Sequence, residues 1–152
     1  MSSRQYDIGI STFERIRAAF PPLVMNLDLH PAHMELAMEI PAQPGMAFPV
    51  DLNLQNLDEL HLVASALWVE WFPCTDPKKV EKYFEAVSGV LSGQFRILEH
   101  WRGKRAVRAE LQRPDAGGWE TIANWLDVSV LIPWPRKTFK IVQNLPSAGP
   151  PP

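Results

Sequence analysis

Three stretches between residues 23 and 55 alternate apolar and polar side chains with a period of two. Their apolar positions fall within 23–29, 34–40 and 48–54, and the residues between them are mainly polar. Successive side chains of a β-strand point to opposite faces, so each stretch predicts a strand with one face in the core and one in water. Turn-like residues at 30–33 and 41–45 separate them. The sequence therefore predicts an antiparallel sheet, the arrangement in which one face commonly meets solvent.

Two helices are predicted from cap signals and apolar spacing. The first is expected at Thr12–Phe20, with Ser11 as N-cap and a capping box completed by Glu14. The second follows Asp76, a good N-cap, and begins at Pro77, a residue suited to the first helical position. Gly93 is placed to end the second helix.

The remaining strands are expected in the second half of the chain and just before it. Residues 60–72 are apolar on both faces, which predicts one central strand that is covered on both sides. Further strands are predicted at Phe95–Arg102, Arg105–Gln112, Trp119–Ile132 and Lys137–Val142.

The chain is therefore predicted to be an α+β protein of mostly antiparallel β-structure. The expected order is one helix, four strands, a second helix and four strands, about eight strands in all. Two short amphipathic helices cannot cover that many strands, so we expect either one strongly curved sheet or a two-layer sandwich. Residues 1–145 are predicted to form a single domain, and the proline-rich residues 146–152 a disordered tail.

Cysteine content and hydropathy predict a cytoplasmic protein. Cys74 is the only cysteine of the 152 residues, so no disulfide can form within the chain, and a lone thiol fits a reducing compartment. The first residues lack the apolar region of a signal peptide, and no stretch is long enough to span a membrane. No membrane association is predicted.

Charge is divided unevenly between the two halves of the sequence. Residues 1–76 carry three basic and ten acidic side chains, a balance of −7, whereas residues 77–152 carry twelve and seven, a balance of +5. All six tryptophans also lie in the last 85 residues, from Trp68 onward. Opposite charges on the two halves can attract each other within one chain or between two copies.

Cys74 is the residue with the most evident chemical potential. It lies just ahead of a predicted helix N-terminus, where a thiolate is favoured, and His61 or His100 could act as its base if the fold brought either one close. Asp76 opposes thiolate formation, and a small buried hydrophobe is the commoner role of cysteine. These three residues define the alternative hypothesis of an enzymatic or small-molecule-binding domain with an apolar pocket.

Metal and cofactor sites are not predicted. Asp28, His30 and His33 gather at a predicted turn, but their spacing is loose and Pro31 can splay them apart, so a surface turn is the preferred interpretation. No glycine-rich phosphate loop is present, and no cofactor is expected.

The leading hypothesis is a non-enzymatic binding protein. Basic and aromatic residues are interleaved in the second half, a composition typical of interaction hot spots. The partner is expected to be a polypeptide or a second copy of the chain, because a pI near 6.1 argues against nucleic acid. The residues predicted to bind it are Trp101, Arg102, Arg105, Arg108 and Trp134.

Overall fold

A computed structural model describes residues 2–144, apart from the side chains of residues 129 and 130. Within them it contains two α-helices, α1 and α2, a short 3₁₀ helix and nine strands. The helices are α1 (Arg4–Ala19), α2 (Pro77–Ser92) and the 3₁₀ helix (Val128–Leu131). The strands are β1 (Asn26–Asp28), β2 (Leu36–Ile40), β3 (Val50–Gln55), β4 (Glu59–Ala64), β5 (Leu67–Trp71), β6 (Arg96–Arg102), β7 (Arg105–Asp115), β8 (Gly118–Leu126) and β9 (Lys137–Val142). Neither helix among the described residues is long and apolar enough to cross a membrane.

The strands form two antiparallel sheets, and the predicted α+β class is confirmed. The first sheet has the strand order β1-β2-β3-β4-β5, and the second has the order β8-β7-β6-β9. The predicted succession of helix, strands, helix and strands is also confirmed, with five strands in the first group. Since no tail residue after 144 is described, the predicted domain boundary and disordered tail lie outside the described residues.

The start of α1 was predicted wrongly. The helix begins at Arg4 rather than at Thr12, and its N-cap is Ser3, whose Oγ accepts a hydrogen bond of 3.1 Å from the Tyr6 N–H. Gly9 lies within this helix although glycine is a poor helix former, and close packing explains its presence. A Cβ atom at that position would lie only 3.1 Å from the Leu54 side chain and 3.2 Å from that of Leu36.

The segment predicted as one central strand is a hairpin. Residues 60–72 contain most of β4, all of β5 and a turn at Ser65, whose φ of 53° places it in the left-handed region. Each strand alternates by itself: Leu60 and Leu62 are buried in β4, while Trp68 and Glu70 of β5 are exposed. The inward-facing positions change from even to odd residue numbers across the tight turn. For this reason the run as a whole reads as apolar on both faces.

Helix α2 begins and ends where it was predicted, whereas the end of one predicted strand differs in the structure. Asp76 Oδ1 accepts from the Lys78 N–H at 2.9 Å, and Gly93 ends the helix at a φ of 78°. The strand predicted at Trp119–Ile132 stops at Leu126. The next backbone N–H, that of Asp127, donates a hydrogen bond to the Val107 carbonyl, and a 3₁₀ helix follows.

One hydrophobic core joins both sheets and both helices. In the first sheet, alternate positions such as Leu36, Leu52 and Leu62 are buried and face the helices. The second sheet contributes Ile97, Ala109 and Leu111. Most of the inner face of the first sheet and the centre of the inner face of the second sheet therefore lie in the core.

Candidate binding surface on the second sheet

The outer face of the second sheet is built by three strand registers. Leu98 lies opposite Glu110 on one side and Ile141 on the other, and His100 lies opposite Arg108 and Phe139. Residues directly opposite in an antiparallel pair point to the same face. The face consists of Leu98, His100, Arg102, Arg105, Arg108, Glu110, Lys137, Phe139 and Ile141.

Four of the five residues predicted to bind a partner gather at or near this face. Arg102 and Arg105 are register partners beside the Gly103-Lys104 turn. Arg102 Nη1 donates to the Pro135 carbonyl at 3.1 Å, which holds the segment containing Trp134 beside the turn. Trp134 itself is 79% exposed. The structure thus brings the segment that contains the exposed Trp134 next to Arg102, although the two residues are about thirty positions apart in the sequence.

Arg108, the fourth of these residues, belongs to a polar network on the same face. Its Nε donates to Asn124 Oδ1 at 3.1 Å, and its Nη2 to Glu110 Oε1 at 3.4 Å. Thr121 Oγ1 also donates to Glu110 Oε1, at 3.0 Å. These bonds fix the guanidinium of Arg108 in one orientation, so that less entropy is lost when a partner binds it.

His100 and Glu110 form the buried centre of the network. The His100 Nε2 and Glu110 Oε2 atoms are 2.7 Å apart, and both side chains are almost fully buried. Burial opposes ionisation of Glu110, but hydrogen bonds from His100 and Thr121 and the charge of Arg108 outweigh it, so the pKa of Glu110 is lowered. The pair fixes the middle of the sheet and is enclosed rather than open to a substrate.

Trp101, the fifth predicted binding residue, is separated from the others. It lies one position along β6 from His100 and so points to the inner side of the sheet, where its Nε1 donates to Glu99 Oε1 at 3.1 Å. Glu99 is fully buried and also accepts from Ser65 Oγ and the Ala66 N–H, at 2.6 and 2.9 Å. Trp101 therefore helps to join the second sheet to the β4–β5 turn of the first.

Sequence reasoning missed the apolar part of the outer face. Phe139 and Ile141 are 62% and 53% exposed, and Phe139 packs edge-on against the His100 ring at a centroid distance of 4.9 Å. Their alternation in Lys137–Val142 predicted the strand but not which of its faces meets solvent. Further exposed apolar side chains precede β9, namely Leu126, Val128, Leu131 and Ile132.

Among residues 2–144, the positive charge of this face is only partly balanced by acidic side chains. Arg108 is paired with Glu110, and Arg105 lies 3.5 Å from Asp127. Arg102 instead donates to a carbonyl group, and the Lys137 ammonium lies 5.9 Å from the centre of the Phe139 ring. The face thus combines exposed apolar side chains with excess positive charge.

The residues of the enzymatic hypothesis do not form a common site. Cys74 is 1% exposed and lies in the core near α1, where its Sγ is 3.9 Å from the Gln5 carbonyl. Burial, and secondarily the charge of Asp58, raise the pKa of the thiol, which disfavours a thiolate. His61 points to the outer face of the first sheet, where it contacts Glu59 and accepts from Trp68 Nε1 at 2.7 Å. His100 belongs to the other sheet.

A side-chain hydrogen bond stabilises the turn at Asp28. Asp28 Oδ1 accepts a hydrogen bond of 2.9 Å from the His30 N–H, a contact that fixes the turn. Among residues 2–144, no three His, Cys, Asp or Glu side chains are arranged to hold a metal ion.

Comparison with known proteins adds no relative, since no family model, curated protein or solved structure matches the chain.

Proposed function

We propose that this chain is a non-enzymatic binding protein that recognises a polypeptide through the outer face of its second sheet. One observation carries the proposal: apolar Phe139 and Ile141 stand exposed beside the unbalanced charges of Arg102 and Lys137. Large exposed apolar side chains rimmed by polar groups are typical of protein interaction sites.

The chemistry of this face specifies the partner. Exposed Phe, Ile and Trp side chains release water when apolar groups cover them, at roughly 25 cal/mol for each Å² of apolar surface. The neighbouring arginines are suited to carboxylates, which they can bind with two parallel hydrogen bonds. The expected partner segment therefore presents apolar side chains flanked by Asp or Glu.

The enzymatic alternative lacks a comparable observation. Both of the residues it would place at a pocket mouth, Cys74 and His100, are buried, at 1% and 6% exposure. Cys74→Ser distinguishes the two hypotheses. The enzymatic alternative predicts that this substitution removes an activity, whereas we expect it only to lower stability.

Capture from the native lysate tests the proposal. The tagged native protein is compared with a variant carrying Arg102→Ala, Arg105→Ala and Trp134→Ala, at moderate and at high salt. We expect a stoichiometric polypeptide to be retained by the native protein, lost from the variant and weakened by salt.

A matched control removes the same residue types elsewhere. Arg4→Ala, Arg17→Ala and Trp68→Ala delete two arginines and one exposed tryptophan from α1 and the first sheet. This control is expected to capture the same partner as the native protein. Equal capture by all three proteins, with melting temperatures unchanged, would show that the partner binds elsewhere.

A further inference from the structure

We propose that two copies of this chain pair through the free edge of β9 to form a two-fold symmetric dimer. The two β9 strands would run antiparallel, with Phe139 opposite its own copy, and would join two second sheets into one. This inference goes beyond the proposed function, because it uses the backbone edge of β9 rather than the outer face of the second sheet.

The first observation is the free edge of β9. Within residues 2–144, β9 pairs with β6 on one side only. A strand edge presents unpaired N–H and C=O groups and is a template for another strand, and proteins commonly protect it by shortness, charge or a cover. β1, one of the two edge strands of the first sheet, has only three residues. β9 has six, exposes Phe139 and Ile141, and carries Lys137 and Lys140 as its charged side chains.

The second observation is how the side chains of β9 are placed for pairing with themselves. Two-fold symmetry keeps the outer faces of both copies on one side, so Lys137, Phe139 and Ile141 of one copy must lie opposite the same set in the other. Two registers do this and pair most of the strand. One pairs residues 137–141 of each copy, with Phe139 at the centre. The other pairs residues 138–142, with Lys140 at the centre.

Charge decides between these two registers. The Lys140-centred register puts two ammonium groups directly opposite each other, which destabilises a strand pair. The Phe139-centred register puts Lys137 opposite Ile141 and Thr138 opposite Lys140, so no like charges face each other. It also places two aromatic rings opposite each other, a favourable cross-strand pair. Two copies of β9 can therefore pair in the Phe139-centred register without placing like charges directly opposite each other.

The test exploits the contact between Thr138 and Lys140 across the dimer axis, which symmetry creates twice. Thr138 is exposed, so its substitution leaves the fold intact. Thr138→Glu adds two attractive pairs and Thr138→Lys two repulsive ones. Sedimentation equilibrium of the full chain should give a dissociation constant about ten-fold lower, or more, for the Glu variant than for the Lys variant.

Two further variants control for effects of net charge. Ser11→Glu and Ser11→Lys make the same changes at an exposed position of α1, and they are expected to dimerise as the native protein does. The double variant Thr138→Lys with Lys140→Glu places opposite charges across the axis again, and it should recover most of the affinity lost by Thr138→Lys alone.

The results separate this inference from the proposed function. A mass that rises with concentration from 17.2 kDa towards twice that value, with the expected order of the two Thr138 variants, supports the dimer. A monomer at every concentration, or equal affinities of the two Thr138 variants, overturns it. If such a monomer still captures a partner through the outer face, only the dimer is wrong. If neither is seen, the proposed function also fails.

Discussion

The two sheets are made from similar numbers of strands but use their outer faces differently. The first sheet carries polar side chains there, including Glu39, Asp51 and Glu70, and ends in the short strand β1. The second sheet exposes Phe139 and Ile141 on its outer face and ends in the six-residue strand β9. The first sheet also exposes one aromatic side chain on its outer face, Trp68, but its Nε1 donates to His61 Nδ1 at 2.7 Å within the same sheet. The two exposed apolar side chains beside positive charge on the second sheet are the basis of our proposal that this sheet binds a partner.

The largest contrast is expected between a core residue of the first sheet and a surface residue of the second. Leu52 is 1% exposed and Phe139 is 62% exposed. Leu52→Ala should lower the free energy of unfolding by about 2–5 kcal/mol because it leaves a cavity. Phe139→Ala should change it by about 0.5 kcal/mol or less. Urea denaturation of both variants measures this. A large loss for Phe139→Ala would show that Phe139 serves stability rather than binding.

The connection between the sheets depends on Glu99. This carboxylate accepts hydrogen bonds from Ser65, Ala66 and Trp101, and it is fully buried. Glu99→Ala should cost about 3 kcal/mol of unfolding free energy, because it leaves buried donors unpaired.

Glu120→Ala is the control for Glu99→Ala. Glu120 is an exposed carboxylate of the second sheet that pairs with Arg113 at 2.9 Å, and its removal should cost about 1 kcal/mol or less. Equal effects of the two variants would mean that the two sheets are not joined through Glu99.

Gly89 tests the packing of α2 against the start of the second sheet. Alanine normally stabilises a helix interior relative to glycine by roughly 1 kcal/mol. Here a Cβ atom would lie 2.2 Å from the Phe95 ring, so Phe95 must move. Gly89→Ala should therefore destabilise the protein, by about 1–3 kcal/mol. A gain of stability in thermal unfolding would show that this contact is loose.

The smallest expected effect is a difference in pH dependence between one carboxylate of each sheet. The lowered pKa of Glu110 gives stability that is present above its unfolded pKa and is lost as pH falls through the folded value. Burial and the neighbouring charge of Glu39 raise the pKa of Asp51, so its contribution has the opposite sign and stability falls as pH rises through that range.

Substitution separates these two contributions. Glu110→Gln should flatten the loss of stability below about pH 4.5, near the ordinary pKa of Glu. Asp51→Asn should raise stability at neutral pH relative to acid pH. Urea midpoints between pH 3 and pH 7 measure both. Identical pH profiles for both variants would contradict the assigned environments.

The sequence predicts the elements of this fold better than their arrangement. Period-two alternation located the strands around Leu36, Leu52 and Val107, because burial of one face leaves a local pattern. Helix α2 was predicted at both ends, because Asp76, Pro77 and Gly93 act on adjacent backbone groups. The hairpin at Ser65 was missed, because the run on either side of it contains no glycine or proline to mark a turn.

The candidate site was predicted in composition but not in geometry. Arg102, Arg105 and Arg108 follow one another on neighbouring strands, so their proximity could be inferred locally. Trp101 was assigned to the same surface, although a single step along β6 turns it to the inner face. The contribution of Phe139 could not be predicted, since pairing of β9 with β6 is a contact over long sequence separation.

Hydroxyl-radical footprinting of the free and partner-bound protein shows which of the two sheets a partner covers. Trp134 and Phe139 of the candidate surface are 79% and 62% exposed, and Trp68 and Phe72, on or just after β5 of the first sheet, are both 51% exposed. All four aromatic side chains should be labelled in the free protein. We expect binding to reduce labelling of Trp134 and Phe139 and to leave labelling of Trp68 and Phe72 unchanged. Protection of Trp68 and Phe72 alone would contradict this expectation and would place the partner on the first sheet.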